Sequence, residues 1–313
     1  MKKIIGWAAA ILLGVVLLLA TGYRSEIPVS ELEKSYWTKE SDYVTVGDAK
    51  LHVRRMGQGP MLLLIHGSFA SLHTWEIVQK ELAHDFTTIS VDLPAHGLTG
   101  PIPSARYSTD DFAQLMFGLI DQMKIDTFSI AGNSMGGQVA WKMALHKPSR
   151  IRKLILIDAA GIQQTIAGTT SKPLLFTLLQ YQSVRKVMSR ITPRFVFRLN
   201  MQQVYANPDA FTDEVLDRYY LLMRREGNRD ATMLRLQQVN ADLQDSIQFI
   251  QTPTLVLWGA QDRWIPLAAG EQFHRLLPND SMIVLPDAGH VPMEEVPEKT
   301  VTILRQFLQG QRN

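Results

Sequence analysis

The chain has 313 residues, 46% hydrophobic and 20% charged, with a formal net charge of +2. That length holds one large α/β domain or two smaller ones, and a balance so near neutrality gives no reason to expect nucleic acid as a partner. The absence of cysteine excludes disulfides, thiol catalysis and thiolate metal sites, while leaving the redox compartment open.

Lys2 and Lys3 precede a run without charge from Ile4 to Tyr23. As a helix it spans about 30 Å, enough to cross the hydrocarbon core of a bilayer. Its length favours a retained membrane anchor. The alternatives are a cleaved secretory signal, with Ala20-Thr21-Gly22 as its cleavage site, and a buried core helix. In the first two cases the lysines stay in the cytoplasm and the rest of the chain is exported, to the periplasm or beyond. Residues 25–40 are polar and read as a linker.

Two candidate strands follow, Tyr43–Val46 and Lys50–Arg54, around the turn pair Gly47-Asp48. Continuous apolar runs then alternate with helical stretches. The runs are Met61–Ile65, Thr87–Val91, Phe128–Ile130, Lys153–Ile157, Thr254–Trp258 and Ser281–Leu285. Continuous hydrophobicity marks strands buried on both faces of a mostly parallel sheet. Helices are expected over about 74–83, 108–123, 135–146, 267–277 and 294–309, completing βα units.

The rhythm breaks between Gly161 and Gln248, where the pattern is helical. An insertion this long reads as a helical subdomain rather than a bare loop. From Ala160 to Asn200 it carries Lys172, Arg185, Lys186, Arg190, Arg194 and Arg198, and no acidic residue. Two readings stand: a solvated basic face over a helical core, or a lid that rests on anionic lipid or receives apolar substrates through residues such as Leu178 and Leu179.

Gly132-Asn133-Ser134-Met135-Gly136 fits the pattern G-x-S-x-G between a strand and a helix. Such a junction forms a strained elbow that lifts the serine hydroxyl clear of the sheet, and the helix behind it aims its amides at developing negative charge. A serine needs a base to act as a nucleophile. Three histidines follow it: His146, His274 and His290. His146 ends the serine's own helix, roughly 18 Å away along its axis. His274 sits within a helical pattern. His290 lies just past the last strand in the loop PDAGHVPMEE and is the expected base. For the acid that orients it, Asp262 after one strand is favoured over Asp158 at the end of the preceding one. The oxyanion hole is expected from the Met135 N–H and that of Ser68 or Phe69, with Gly67 allowing close approach. His66, His96 and Asp92 read as braces of neighbouring turns.

The motifs HGS, DLPAHG, GNSMGG, GAQD and GH, in this order, resemble the α/β-hydrolase superfamily over about residues 41–313. Within it the chain looks most like the exported bacterial lipases and carboxylesterases called family V. The resemblance implies an α/β-hydrolase fold: a mostly parallel sheet flanked by helices, with residues 161–248 as cap. It also implies Ser134, Asp262 and His290 as the triad and hydrolysis of small-molecule or lipid esters without metal or organic cofactor. A monomer tied to the membrane by its N-terminal segment is expected. Ala95 departs from the family's D-x-P-G-H-G, which touches a turn and not the chemistry. A rival is carbon–carbon hydrolysis of ring-cleavage products, whose family shares GNSMGG but usually has tryptophan where this chain has Val291. A non-catalytic binding module on the same fold is the other alternative.

Overall fold

A computed structural model describes residues 22–163 and 189–310, together with Trp7, Gly14, Tyr181, Ser183 and Lys186. Eight strands form one sheet: β1 (Ser41–Val46), β2 (Ala49–Met56), β3 (Met61–Ile65), β4 (Thr87–Val91), β5 (Phe128–Asn133), β6 (Ile151–Ile157), β7 (Thr254–Gly259) and β8 (Asp280–Leu285). Their order is β1-β2-β4-β3-β5-β6-β7-β8. The pairs β1–β2 and β2–β4 are antiparallel and every other pair is parallel. All eight expected runs are strands, most of them a residue or more longer than their apolar stretch.

Every residue of β3, β4, β5 and β7 is buried. Helices on both faces cause this. Alternate side chains serve two cores: Leu63 and Ile65 pack towards α3 (Thr109–Gln122), α4 (Met135–His146) and α8 (Leu267–Leu276). Leu62 and Leu64 pack towards α2 (Glu76–Leu82) and α10 (Pro297–Gln309). Trp75, Trp141 and Trp258 are essentially buried across these layers. A large apolar side chain so placed contributes about 1.5–3 kcal/mol.

Three local features differ from expectation. The first helix of the core begins as a 3-10 turn over Leu72–Trp75 before α2 takes over. The last one is split at Val296 into α9 (Pro292–Glu295) and α10, because Pro297 offers no N–H and disfavours helical backbone in the residue before it. The stretch expected to be a linker is not one. Val29–Tyr36 forms α1, whose Leu32 is buried with Leu98 and Leu222. Spacing apolar residues one turn apart within a polar segment was enough to dock it.

The regular elements described in the insertion are helices, chiefly α5 (Arg194–Met201), α6 (Asp213–Met223) and α7 (Asn228–Arg235), with isolated bridges from Ile191 to Tyr23 and from Arg225 to Ile27. Its described cations do not form a bare basic face. Arg194 and Arg198 pair with Asp213, Arg194 also with Asp217, and Arg190 with Glu26. Lys172, Leu178, Leu179 and Arg185 lie outside the described residues, as does most of Ile4–Tyr23. Among the described residues no helix is long and apolar enough to cross a membrane.

Candidate active site

The strand β5 runs into α4 through Ser134, whose backbone sits at φ 54°, ψ −120°. This conformation is strained for a residue with a Cβ. Three backbone hydrogen bonds hold it: Ser134 N–H to Ile157 O (3.1 Å), and Ala160 N–H (2.9 Å) and Gln138 N–H (3.1 Å) to Ser134 O. The flanking glycines are there for space. A Cβ on Gly132 would stand 2.2 Å from Gly136 O, and one on Gly136 would stand 2.3 Å from Ile65 O. Ser134 therefore projects at the C-terminal edge of the sheet, as the motif implies.

His290 and Asp262 come to the same edge from the loops after β8 and β7. His290 donates its Nδ1–H to Asp262 Oδ2 at 2.6 Å, and both side chains are buried. Asp262 Oδ1 receives the N–H groups of Trp264 (2.7 Å) and Ile265 (3.0 Å), so its carboxylate is fixed on both oxygens. Ser134 and His290 line one cavity of about 230 Å³. With Nδ1 engaged, Nε2 is the imidazole atom left to take a proton from a serine.

Gly67, Ser68, Phe69 and Ala70 wall the same cavity. Phe69 is at φ 62°, turning this loop sharply. Among the described residues nothing accepts the N–H of Ser68 or Phe69, and Met135, first in α4, has no intrahelical acceptor for its own. These are the donors expected for an oxyanion. His66 braces the loop: it donates Nδ1–H to Gly67 O (2.7 Å) and accepts Leu93 N–H at Nε2 (3.0 Å). Burial pushes His66 and His96 down, so both rings stay neutral.

Asp92 accepts from Leu72 N–H, Leu98 N–H and His52 Nδ1–H, each at 2.7–2.8 Å. Burial, the largest single influence, would raise its carboxyl, but the His52 hydrogen bond and the electrostatic effect of His52, His66 and His73 together outweigh this and hold it far below the usual range. Ala95, where the family pattern has glycine, adopts φ 71°, a conformation glycine takes without strain. His146 lies beside Asp110 at the far end of α4, and His274 pairs with Asp280 on the surface; neither joins the site.

Several residues of the site carried no signal in the sequence. Asn133 Nδ2 donates to His290 O (2.9 Å) and Ile157 O (3.1 Å), tying the elbow to the histidine loop. Glu295 accepts Gly289 N–H (2.8 Å) and Ala206 N–H (2.6 Å), and His290 N–H reaches Val204 O (2.8 Å). The insertion thus holds the histidine loop from above. It also supplies Met201, Val204 and Tyr219 to the cavity wall. Tyr219 and Tyr205 both donate their hydroxyls to Glu294, which locks that wall to α9. Only the pattern H-V-P-M-E-E, with carboxylates four and five residues after His290, hinted at any of this. Among the described residues no cluster of His, Asp and Glu is arranged to hold a metal ion.

Known proteins agree with this architecture. The chain is similar to a crystallised membrane phospholipase A, described as a bacterial virulence factor, at 26% identity and TM-score 0.72, with each chain wholly covered. It is similar to a thermophilic esterase from Thermogutta terrifontis at 25% identity and TM-score 0.72, covering 87% of this chain and 99% of that one. Among curated sequences it is 26% identical over 265 residues to a 2-hydroxy-6-oxononadienedioate/2-hydroxy-6-oxononatrienedioate hydrolase of Cupriavidus pinatubonensis, covering 80% and 89% of the two chains. The pattern of the α/β hydrolase fold family matches residues 60–297, and the chain belongs to that family.

Proposed function

We propose that the protein is a serine hydrolase of carboxylic esters that works through an acyl-enzyme on Ser134. One observation carries the reading: a serine on a strained elbow and an imidazole clamped by a buried aspartate face the same cavity. Ser134 Oγ attacks the acyl carbon while His290 Nε2 takes its proton. The negative oxygen that forms is received by the N–H groups of Met135 and of Ser68 or Phe69. His290 returns the proton to the departing alcohol, and Asp262 stabilises the imidazolium in between. A water molecule, deprotonated by His290, then releases the acid and restores Ser134.

The cavity suits the acyl group of an ester. Its lining by Phe69, Met201, Val204, Ile265 and Val291 is apolar, matching a hydrocarbon tail. The similarity to an esterase and a phospholipase supports the same class.

We also propose that Ile4–Tyr23 holds the enzyme on a membrane, with the catalytic domain outside the cytoplasm. The segment's end is anchored to the insertion by Arg24 N–H to Arg190 O (2.8 Å) and Thr192 N–H to Gly22 O (3.0 Å). Beside it α5 leaves Phe195 and Leu199 exposed, about 60% each. Apolar side chains so exposed next to Arg24, Arg194 and Arg198 suit a lipid surface.

The test is labelling of Ser134 with a fluorophosphonate, together with hydrolysis rates over p-nitrophenyl esters of increasing chain length. Wild-type protein labels and turns over short and medium esters; Ser134→Ala does neither. Failure to label, or turnover that survives Ser134→Ala, removes the proposal. The relative from Cupriavidus favours one second reading, hydrolysis of a carbon–carbon bond in a 2-hydroxy-6-oxo-dienoate. Faster turnover of such a compound than of any ester would select it.

A further inference from the structure

Asp158 is the first residue after β6, and it is fully buried at φ 44°. Its N–H bonds to Leu257 O at 3.1 Å, which aims its side chain at the loop carrying Asp262. One carboxyl oxygen, Oδ1, accepts Gly259 N–H at 2.9 Å. The other, Oδ2, is buried and no donor faces it among the described residues. The group within hydrogen-bonding reach is the carboxyl of Asp262. Two carboxylates cannot share such a contact without a proton between them.

The surroundings decide where that proton resides. Asp262 already collects three donors, from Trp264, Ile265 and His290, and each favours its charged form. Asp158 has one. Burial pushes the Asp158 carboxyl well up, and the charged groups acting on it, Asp262 and Glu295, are both acidic. A buried carboxyl next to a better-solvated carboxylate is the one that stays neutral.

We propose that Asp158 is a proton-bearing positioning residue: its Oδ2–H donates to the Asp262 carboxylate, which in turn receives the Nδ1–H of His290. The chain of donation runs Asp158 to Asp262 and His290 to Asp262, with the proton staying on Asp158 throughout turnover. Its effect is twofold. It pins the plane of the Asp262 carboxylate, and it draws off part of that group's negative charge, so His290 is less basic than with a bare aspartate behind it. Asp158 touches neither substrate nor the reacting atoms.

The kinetic consequence rests on the ester-hydrolase reading; the protonation state does not. The experiment therefore has two arms, both on the full chain. In the first, infrared difference spectra at neutral pH compare wild type with Asp158→Asn. The carbonyl stretch of a protonated carboxyl is expected in wild type and lost in the variant. In the second, kcat/KM for p-nitrophenyl butyrate is followed against pH. Asp158→Leu lowers it about tenfold and displaces its acid limb upward, because Asp262 without the Asp158 donor makes His290 more basic. Asp158→Asn, whose amide still donates, recovers most of the loss and returns the limb to the wild-type position.

An absent carbonyl band in wild type overturns the proposal. So does an acid limb that moves downward in Asp158→Asn, the result of deleting a negative charge beside Asp262, or one that stays in place in Asp158→Leu. If Asp158→Leu does not fold, the band and the Asn profile decide. If no ester is turned over at all, the functional reading fails, and the band still decides the pair.

Discussion

The indole of Trp264 stacks on the imidazole of His290, with ring centroids 6.0 Å apart and planes 25° from parallel. The same residue gives its backbone N–H to Asp262, so one residue touches both base and acid. An aromatic face beside the ring stabilises the imidazolium formed during the reaction by about 0.5–1 kcal/mol at a partly exposed site. Trp264→Ala keeps the backbone bond and loses the ring. Its kcat/KM is expected to fall about two- to fivefold, with the acid limb shifted slightly downward as the imidazolium loses support. A pH–rate profile reads both effects.

Asn133 fastens the elbow to the histidine loop through one amide. Asn133→Ala leaves the buried carbonyl of His290 without a donor, while Ile157 O keeps the N–H of Ser134. The expected result is a loss of about 1–3 kcal/mol in stability, the cost of one unsatisfied buried group. Activity should fall further than stability alone explains, because His290 is no longer held in register with Ser134. Denaturant unfolding and single-temperature kinetics separate the two.

Gly132→Ala would insert a methyl group 2.2 Å from Gly136 O, where only backbone can give way. The elbow cannot close around it. Expression as soluble folded protein is expected to collapse, or, if some folds, Ser134 should no longer take up fluorophosphonate.

Asp92 links β4 to the turns before α2 and after β4, and its carboxyl titrates below the usual range. A depressed carboxyl contributes stability above its unfolded value of about 3.9, and that stability is lost as pH falls through the folded value. Asp92→Asn should therefore be less stable than wild type at neutral pH. Its melting temperature should also fall less steeply as pH drops from about 4 towards 2. Parallel melting curves across that window would show that Asp92 is not the linked group.

Met201 lines the cavity from the insertion and is itself buried. Met201→Trp adds bulk where an acyl tail would lie. The preferred chain length on p-nitrophenyl esters is expected to shorten, with acetate turnover changed least. An unaltered profile would place the tail elsewhere. The double substitution Leu178→Ser and Leu179→Ser asks the same of the first half of the insertion, at two positions outside the described residues.

Much of this protein is legible along the chain. The unbroken apolar run Met61–Ile65 and the β-branched run Thr87–Val91 announce strands buried on both faces, and they coincide with β3 and β4 residue for residue. The elbow is equally local. Gly132, Ser134 and Gly136 lie within five residues, so the backbone strain that they resolve is written in one short word. His290 could be singled out because loops after strand ends all open on the same edge of a parallel sheet.

Tertiary structure alone decided the rest, because it depends on approach between residues far apart in sequence. Polarity could not reveal that residues 29–36 form a helix, since a single buried leucine, Leu32, docks it on Leu98 and Leu222. The basic stretch from Arg190 to Arg198 looked unpaired because its carboxylates, Glu26, Asp213 and Asp217, lie before or after it. Asp262 was the favoured acid from the sequence, with Asp158 as its alternative, since both follow strands at the catalytic edge. The fold brings both carboxyls together and turns only Asp262 onto His290. Residue type and local period are properties of the chain; which of two equivalent carboxyls meets an imidazole is set by the packing of β6 against β7.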